Sequence, residues 1–365
     1  MISKNKIKLL YVHNADFDAV AANKVQVTNM CNALGKIDVS TTLLGFGNTK
    51  QYYKLYNIKK DFNIKFFKSC HNYYLRTLKL FNFFRKNNQK YNCIFTRDLF
   101  FAYLVKTFYK NKKVIYELHD FDKSKIWLKL FEKTFKKIDH LVVISEGLKR
   151  DLNKKGFKNK ITILHDGVDI DKFDLKLSVK VAKTKIKLPQ NKKVIMYVGS
   201  FQDWKGYKLL LDISKELPKD VLIVMVGGTS NQIKALKNKY PRVVFTGQVH
   251  NDKIPIYLKS ANLLILPNTG KKKISTKYTS PLKLFEYMAS KRAIIASDLE
   301  SIRNIVSDKE VIFFKSDSKE DFKKKIKYCL NNDKILKSYI KNAFQKVKEF
   351  TWIKRAEKIK RIFNK

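Results

Sequence analysis

Residues 261–297, ANLLILPNTGKKKISTKYTSPLKLFEYMASKRAIIAS, contain two short apolar runs separated by a helical pattern. The runs at 263–266 and 293–296 are aliphatic at every position, which is typical of parallel strands buried on both faces. Between them, apolar side chains at 281–289 recur with the spacing of a helix. A strand, a helix and a second strand in this order predict a βαβ unit, and hence a parallel sheet.

The same alternation extends in both directions and forms two series. The predicted strands are 7–12, 39–44, 93–96, 114–118, 141–144 and 162–164, and then 194–198, 221–226, 243–245, 263–266, 293–296 and 311–314. The polar segment 165–193 lies between the series without a strong period, and we expect the inter-domain linker there. The sequence therefore predicts an α/β protein of two Rossmann-like domains, 1–175 and 190–350, each with a doubly wound six-stranded sheet, facing each other across a cleft. A C-terminal helix at about 351–365 can pack back on the first domain.

The net charge of +45 in 365 residues has two possible explanations. One is a polyanionic partner, such as nucleic acid, an anionic membrane surface or a phosphorylated substrate. The other is a compositional bias toward lysine. Only nine of the 77 basic residues are arginine, the residue that usually reads bases. We therefore favour the bias and expect no specific nucleic-acid partner, although attraction to anionic lipid follows in either case.

The location of the protein is predicted from what the sequence lacks. No apolar run reaches the roughly 18 residues of a membrane-spanning helix, and the scattered cysteines have no CxxC spacing, which indicates a reducing, cytoplasmic compartment and no zinc site. The aromatic and basic segment 62–90 has the composition of an interfacial helix. A helix packed on the first sheet explains it equally well, so peripheral attachment to the inner face of a membrane stays open.

Lys205 and Gly206 stand between a predicted strand and a helical pattern that starts at residue 207. We expect Lys205 in the first turn of that helix, where the helix dipole disfavours a cation. An anion bound there would remove the conflict, since helix N-termini bind phosphate. The alternative is a solvated lysine in a lysine-rich chain.

Glu286 lies on the edge of the apolar face of the helix predicted at 281–289, about 40° from Leu282 around the helix axis. Burying a carboxylate there is costly unless it has a partner. A sugar hydroxyl and a basic side chain are the candidate partners, and a side chain reaching out to solvent is the alternative. Ser280 and Pro281 have the residue types preferred at the N-cap and the first helical position, so we expect the helix to begin there.

Five segments closely resemble, in order and spacing, the donor-site segments of GT4-type retaining glycosyltransferases, which have the GT-B fold. They are YVGSFQDWKG (197–206), VMVGG (224–228), FTGQV (245–249), ANLLILP (261–267) and SPLKLFEYMAS (280–290). The resemblance implies transfer of a sugar from a nucleotide-diphosphate sugar of the UDP or GDP type, with retention and with no cofactor or metal. It implies a glycan, lipid-linked or other acceptor, and a role in surface polysaccharide or glycoconjugate synthesis.

By this resemblance Lys205 neutralises the donor diphosphate and Glu286 binds the ribose hydroxyls. The other donor-binding positions that it implies are Gly199, Ser200, Gly227, Gly228, Thr246, Gly247, Val249, Tyr278, Ser280, Leu282 and Lys283. Two positions depart from the family pattern: Tyr278 replaces an acidic residue and Ser200 replaces an arginine that many members carry. The lysines that could restore the lost charge are Lys271, Lys272, Lys273 and Lys283.

In the first half, His119 follows the predicted strand 114–118. The family places a histidine after this strand, near the donor sugar, so His119 is implied as a catalytic residue beside Lys205 and Glu286. Residues expected to line the cleft or act as a hinge are Asp120, Ser145, Asp166 and Gly167. Two other functions stay open: a nucleotide-sugar epimerase of the same fold, and a non-catalytic basic scaffold that binds membrane or nucleic acid and has a degraded donor site.

Overall fold

The computed structural model describes residues 6–56, 61–121 and 124–364. The chain forms two compact units, one that ends at His165 and resumes at Trp352, and one that spans Asp166–Thr351. The first five residues of the predicted first domain and the last residue of the predicted C-terminal helix lie outside the described residues.

In the described part of the chain, the first unit contains one parallel sheet of seven strands. The strands are β1 (Lys8–Asp16), β2 (Ser40–Phe46), β3 (Asn63–Phe67), β4 (Cys93–Thr96), β5 (Lys113–Leu118), β6 (His140–Val143) and β7 (Ile161–Ile163). Their order is β3-β2-β1-β4-β5-β6-β7, so the direction of winding reverses between β1 and β4. Sheets of this kind bind ligands outside the carboxyl ends of the strands at such a reversal.

The prediction of six strands is wrong for this sheet, because the edge strand β3 was not recognised. The residues of β3 are all exposed or only half-buried, so they lack the continuous apolar pattern of a central strand. β3 and the helix that follows it both lie within the aromatic segment 62–90. The helices of the first unit up to residue 165 are α1 (Ala22–Lys36), α2 (Thr49–Tyr56), α3 (Tyr73–Asn87), α4 (Leu99–Phe108), α5 (Lys125–Lys137) and α6 (Glu146–Lys154).

The second unit contains a parallel sheet of six strands within the described residues. The strands are β8 (Lys193–Val198), β9 (Val221–Val226), β10 (Val243–Gly247), β11 (Leu263–Leu266), β12 (Ala293–Ser297) and β13 (Ile312–Phe314). Their order is β10-β9-β8-β11-β12-β13, and the winding reverses between β8 and β11. The two parallel Rossmann-like sheets confirm the predicted fold class.

Helices cover both faces of the second sheet. They are α7 (Ile170–Phe173), α8 (Val179–Lys185), α9 (Tyr207–Asp212), α10 (Ser230–Lys237), α11 (Ile254–Ser260), α12 (Leu282–Ala289), α13 (Glu300–Arg303), α14 (Lys319–Asn331) and α15 (Asp333–Val347). On β8, Val194, Met196 and Val198 belong to one buried cluster, whereas Ile195 and Tyr197 belong to another. Because successive side chains of a strand point to opposite faces, the sheet has a core on each side.

The segment 165–193, where we expect the inter-domain linker, belongs almost entirely to the second unit. It contains α7 and α8, which pack against α12 and α11 of the second unit. Helices of four and seven residues are too short to show a hydrophobic period. The buried Phe173 joins the core of the second unit, which explains why residues 166–175 group with that unit and not with the first.

After α15 the chain returns to the first unit as α16 (Trp352–Asn364), which packs against α1. Trp352, Ala356, Ile359 and Phe363 are buried on the inner face of this helix. Among the helices that the structure describes, not one combines the length and the apolar composition needed to cross a bilayer.

Candidate functional site

The carboxyl ends of β8 and β9 meet in two tight glycine turns beside the winding reversal of the second sheet. Gly199 donates its N–H to Val226 O, and Gly227 donates to Gly247 O, both at 2.8 Å. A Cβ on Gly227 would lie 2.2 Å from Gly199 O, and its φ of +117° is one that other residues rarely adopt. Glycine is therefore required at 227 for the two turns to approach.

The prediction that Lys205 occupies the first turn of a helix is wrong. Lys205 ends a short 3₁₀ turn, Asp203–Lys205, and α9 begins only after Gly206. Gly206 has a left-handed φ of +63°, and a Cβ there would lie 1.7 Å from Pro267 O. This turn can therefore approach the end of β11 closely only with glycine at 206. The helical pattern of the sequence did not reveal the turn.

Lys205 nevertheless belongs to a group of polar residues beside Gly199, which also includes Ser200 and Lys283. Its Nζ donates to Ser200 Oγ at 2.6 Å and lies 5.3 Å from the ring centroid of Trp204. Burial lowers the pKa of Lys205 to about 8. The ammonium is thus partly desolvated while it keeps one neutral hydrogen-bond partner.

Lys283, on the first turn of α12, is the second cation of this group. Its Nζ is buried without a hydrogen-bond partner among the described residues and lies 4.2 Å from the ring centroid of Tyr197. A Cβ placed on Gly199 would be 3.3 Å from this Nζ. Burial, reinforced by the neighbouring charge of Lys205, holds the pKa of Lys283 well below its ordinary value. A buried ammonium without a partner is costly unless an anion neutralises it.

Glu286 lies one turn further along α12 and is half-buried. Burial raises the pKa of its carboxyl group to about 7, although the charges of Lys172 and Lys283 oppose the shift. No hydrogen bond from a described side chain to this carboxylate is present. The alternative of a side chain extended into solvent does not fit these surroundings, and perturbed carboxyl groups of this kind cluster at functional sites.

Helix α12 begins at Leu282, so the prediction that Ser280 is its N-cap is wrong. The Ser280 hydroxyl instead accepts the backbone N–H of Asp166, at 2.9 Å. Pro281 takes the cap position without a side-chain hydrogen bond, and its carbonyl accepts the N–H of Leu284. The Ser280 hydroxyl is therefore bound to a residue that is distant in the sequence and does not cap α12.

The remaining donor-site candidates divide into two groups. Gly228, Thr246 and Val249 follow β9 or belong to β10 and its end, at the same edge of the sheet as Gly227. Tyr278, by contrast, is only 1 % exposed, at the end of the π-helical turn Ile274–Tyr278. In this arrangement its ring is part of the protein interior, which the pattern of the sequence does not indicate. Lys271, Lys272 and Lys273 are exposed, so among the four lysines considered it is Lys283 that lies beside Gly199.

A family model for glycosyl transferases group 1 matches residues 179–346, and a model for glycosyltransferase family 4 matches residues 24–172. The chain belongs to the group 1 glycosyltransferases. An uncharacterized glycosyltransferase of Methanocaldococcus jannaschii is 27% identical over 85% of this chain and 81% of its own length. A phosphatidyl-myo-inositol mannosyltransferase of Mycobacterium tuberculosis is 26% identical over 54% of this chain and about half of its own, 52%. The predicted enzyme class, a transferase, is confirmed.

Solved structures share the fold of this glycosyltransferase at low sequence identity. Sucrose-phosphate synthase from Thermosynechococcus elongatus superposes with a TM-score of 0.80 at 15% identity and covers 98% of both chains. HepE of Anabaena, in complex with UDP and glucose, has a TM-score of 0.80 at 14% identity and covers 97% of this chain and 98% of its own. These likenesses confirm the predicted GT-B fold.

In the first unit of the glycosyltransferase, His119 is the first residue after the carboxyl end of β5. It lines a cavity of about 230 Å³, together with His13, Arg97, Asp120 and Trp127. His13 lies on β1, Arg97 follows β4 and Asp120 follows β5, while Trp127 comes from α5. The cavity therefore lies at the winding reversal of the first sheet. The sequence-predicted His119 and Asp120 are therefore brought together at a place where sheets of this type bind ligands.

His119 is held by two residues to which the sequence analysis gave no role. Its Nε2 is hydrogen-bonded to Glu117 Oε1, and Glu117 Oε2 accepts from Arg355 Nη2 at 3.0 Å. Burial lowers the pKa of His119 to about 4. The signal for Glu117 was present, because a charged residue within an otherwise apolar central strand requires a partner.

The predicted cleft and hinge residues Ser145, Asp166 and Gly167 lie at the start of a helix or at the start of the second unit. Ser145 is buried and caps α6 by accepting the N–H of Leu148, at 3.3 Å. Asp166 and Gly167 are buried at the start of the second unit, where the Asp166 N–H contacts Ser280. Their contribution to domain movement stays a prediction.

Proposed function

We propose that this glycosyltransferase moves a sugar from a nucleotide-diphosphate sugar of the UDP or GDP type to a hydroxyl of a glycan or lipid-linked acceptor, in surface polysaccharide or glycoconjugate synthesis. The observation that carries the proposal is the buried, unpartnered Nζ of Lys283 next to Lys205. Two crowded cations at the carboxyl ends of β8 and β11 are suited to a diphosphate. The UDP complex of HepE supports this choice, since that protein shares the fold.

In the proposed reaction the two lysines act on the leaving group. The bond between the anomeric carbon and the phosphate oxygen breaks, and negative charge accumulates on the diphosphate, where Lys205 and Lys283 stabilise it. The acceptor oxygen bonds to the same face of the anomeric carbon, so the configuration is retained. The acceptor proton passes to the departing phosphate oxygen. This scheme requires neither a separate general base nor a metal ion.

Glu286 is proposed to bind the nucleoside. A carboxylate can accept hydrogen bonds from both hydroxyl groups of a ribose. Those hydrogen bonds would favour the ionised form and lower the pKa of Glu286 from the value of about 7 that burial imposes. The Glu286 carboxylate, which destabilises the ligand-free protein, would then hold the bound donor by hydrogen bonds.

The experiment is a donor panel assayed with the full chain. Hydrolysis and transfer are measured with UDP-, GDP- and ADP-sugars for the wild type, Lys205→Ala, Lys283→Met and Glu286→Ala. We expect each lysine substitution to lower kcat/KM by roughly 100-fold, the loss typical of a group that stabilises developing charge. Glu286→Ala should lower kcat/KM by roughly tenfold or more, mainly through KM, because it removes hydrogen bonds to the nucleoside. Lys272→Ala, in the exposed loop before α12, is the matched control and should keep wild-type activity. Equal rates in all variants would contradict the site, and loss of activity with a chelator would contradict the metal-free scheme.

The proposed location is the cytoplasmic face of an anionic membrane, with α3 as the contact. Residues 62–97 contain eight lysines and arginines and no acidic residue. One face of α3 packs against α4 and β1, whereas Tyr74, Leu75 and Leu78 stay between 46% and 59% exposed. An apolar surface flanked by cations alone fits an anionic lipid headgroup region.

Vesicle co-sedimentation tests this location. We expect binding to vesicles that contain anionic lipid, little binding to zwitterionic vesicles, and a loss of binding with added salt. The double variant Leu75→Ser with Leu78→Ser should bind less, whereas Ile126→Ser, an exposed apolar side chain on α5, should not. Binding that ignores lipid charge, or that falls equally in both variants, would contradict α3 as the contact. No observation favours the epimerase or the non-catalytic scaffold.

A further inference from the structure

The Glu117 carboxylate is the centre of a buried polar group in the first unit. Its Oε1 accepts from Gln26 Nε2 at 2.8 Å and is hydrogen-bonded to His119. Its Oε2 accepts from Arg355 Nη2 at 3.0 Å. The Glu117 side chain is fully buried and that of Arg355 is 3% exposed. Both oxygens are thus satisfied inside the protein.

Arg355 reaches this carboxylate from the last helix of the chain. Its Nε donates to His165 O at 3.0 Å, and its Nη1 lies 3.2 Å from Met30 Sδ. The guanidinium is therefore fixed at several points, as a buried charge must be if it is not to destabilise the fold. Since α16 packs against α1 through buried apolar side chains, the position of the guanidinium is set by the docking of this helix.

Among the described residues, four groups from different elements act electrostatically on His119, and Asp120 and Tyr73 line the same cavity. Glu117 lies on β5, Arg355 on α16 and Arg97 just after β4, while His13 lies on β1. Burial and the charge of Arg97 lower the pKa of His119, and the hydrogen bond to Glu117 only partly offsets this effect. Burial alone would raise the pKa of Glu117, but the Arg355 guanidinium and the hydrogen bond from His119 hold it below its ordinary value. At neutral pH the carboxylate is ionised and the ring is neutral.

This arrangement determines which ring nitrogen carries the proton. An ionised carboxylate can only accept, so the nitrogen facing Glu117, Nε2, must donate. The remaining nitrogen, Nδ1, then has an unprotonated lone pair. Because His119 lines the cavity at the carboxyl end of β5, a ligand in that cavity meets a hydrogen-bond acceptor and not a cation.

We propose that Glu117 and Arg355 are positioning residues that hold His119 in its neutral Nε2–H tautomer, so that Nδ1 accepts a hydrogen bond from a hydroxyl group of the transferred sugar. This inference rests on the proposed function for the identity of the ligand. The tautomer itself does not depend on it. The last helix of the chain, through Arg355, thereby sets the chemistry of a residue at the end of β5.

The experiment is ¹⁵N NMR of the full chain labelled at histidine. The protein has six histidines, and His119→Asn identifies the signals of His119 by their loss. We expect the wild type to show the proton on Nε2 and an acceptor-type Nδ1, with no protonation until the pH falls to about 4. A mixture of tautomers, or a ring protonated at neutral pH, would overturn the proposal.

Two substitutions should act in opposite directions. Arg355→Met removes a charge that lowers the pKa of His119, so that pKa should rise by about one unit or more. Glu117→Gln removes the negative charge that raises it and can place an amide N–H opposite Nε2, so the pKa should fall and the Nδ1–H tautomer should become populated. Arg361→Met, an exposed arginine on the same helix, is the matched control and should leave His119 unchanged. A folded Arg355→Met with the wild-type pKa would overturn the role of Arg355.

If Arg355→Met does not fold, Arg355→Gln decides the question, because it removes the charge and keeps an N–H donor, so the pKa of His119 should again rise. An unchanged pKa in that variant would overturn the role of Arg355. The functional part is then tested with the donor sugar that the wild type turns over best. Glu117→Gln should lower kcat at least tenfold with a smaller change in KM, and Arg361→Met should change neither. If no nucleotide sugar binds the wild type, the proposed function fails while the NMR result still decides the tautomer. If donors turn over but Glu117→Gln is as active as the wild type, this inference fails alone.

Discussion

The two units of the protein treat buried charge in opposite ways. In the first unit, Glu117 is satisfied on both oxygens by Gln26, His119 and Arg355. In the second unit, Lys283 has no hydrogen-bond partner among the described residues, and Glu286 has a carboxyl pKa raised to about 7. The first group is complete without a ligand and should contribute to stability. The second group lacks partners until an anion and hydroxyl groups bind. It should therefore lower the stability of the ligand-free protein and favour ligand binding.

The largest change in the free energy of unfolding is expected when the buried pair of Glu117 and Arg355 is broken. Arg355→Met leaves the Glu117 carboxylate buried without its cation, and breaking a buried pair in this way typically costs about 3–5 kcal/mol. Urea denaturation, with hydrogen exchange of β5 and α16 to follow the first unit, measures the loss. The control Arg361→Met removes a largely exposed arginine that lies 4.0 Å from Glu357 and should cost about 0.5 kcal/mol or less. Equal losses in the two variants would mean that Glu117 does not depend on Arg355.

Removal of the unpartnered lysine of the second unit should raise the free energy of unfolding. Lys283→Met removes a buried ammonium without a partner and keeps much of the apolar stem, so we expect the nucleotide-free protein to gain about 2 kcal/mol. The same variant should bind UDP or GDP at least tenfold more weakly by calorimetry. Lys272→Met, on the exposed loop, should change neither quantity. A variant that is destabilised and still binds nucleotide normally would show that Lys283 is a structural cation.

The sequence predicted those parts of the fold that depend on local pattern. β9, β11 and their neighbours are continuous apolar runs, so the sheets and their order of elements could be read directly. The edge strand β3 could not, because an edge strand lacks the buried pattern. The candidate site was found from motifs, but its charge balance was not. Arg355 lies 238 residues from Glu117 in the chain, and the Ser280 hydroxyl is taken by an N–H 114 residues away. Only the folded chain brings such partners together.

A smaller gain, and one that depends on pH, is expected for Glu286→Gln. The folded-state pKa of Glu286 is about 7, above its ordinary value of 4.5, so the folded state holds the proton more tightly than the unfolded state. The stability of the wild type should therefore fall as the pH rises from about 4.5 to 7 and stay low above that range. Glutamine does not titrate. The full shift corresponds to roughly 3 kcal/mol, but Glu286 is only half-buried and water reduces the effect. Thermal melts of the nucleotide-free protein should therefore show the variant more stable by about 1 kcal/mol at alkaline pH and equal to the wild type near the ordinary pKa. A constant difference at every pH would contradict burial as the cause.

The smallest effect on stability is expected for Lys205→Met, and it separates the two lysines of the site. The pKa of Lys205 is lowered to about 8, so its charge is also disfavoured in the folded state. Its ammonium, however, keeps the Ser200 hydroxyl at 2.6 Å, whereas the Lys283 ammonium has no hydrogen-bond partner among the described residues. We expect a gain of only about 0.5 kcal/mol in the nucleotide-free protein near neutral pH, decreasing as the pH rises through the folded-state pKa and the wild-type ammonium loses its proton. If Lys205→Met stabilised the protein as much as Lys283→Met, both cations would be equally uncompensated, and the Ser200 hydroxyl would contribute nothing to stabilising the charge of Lys205.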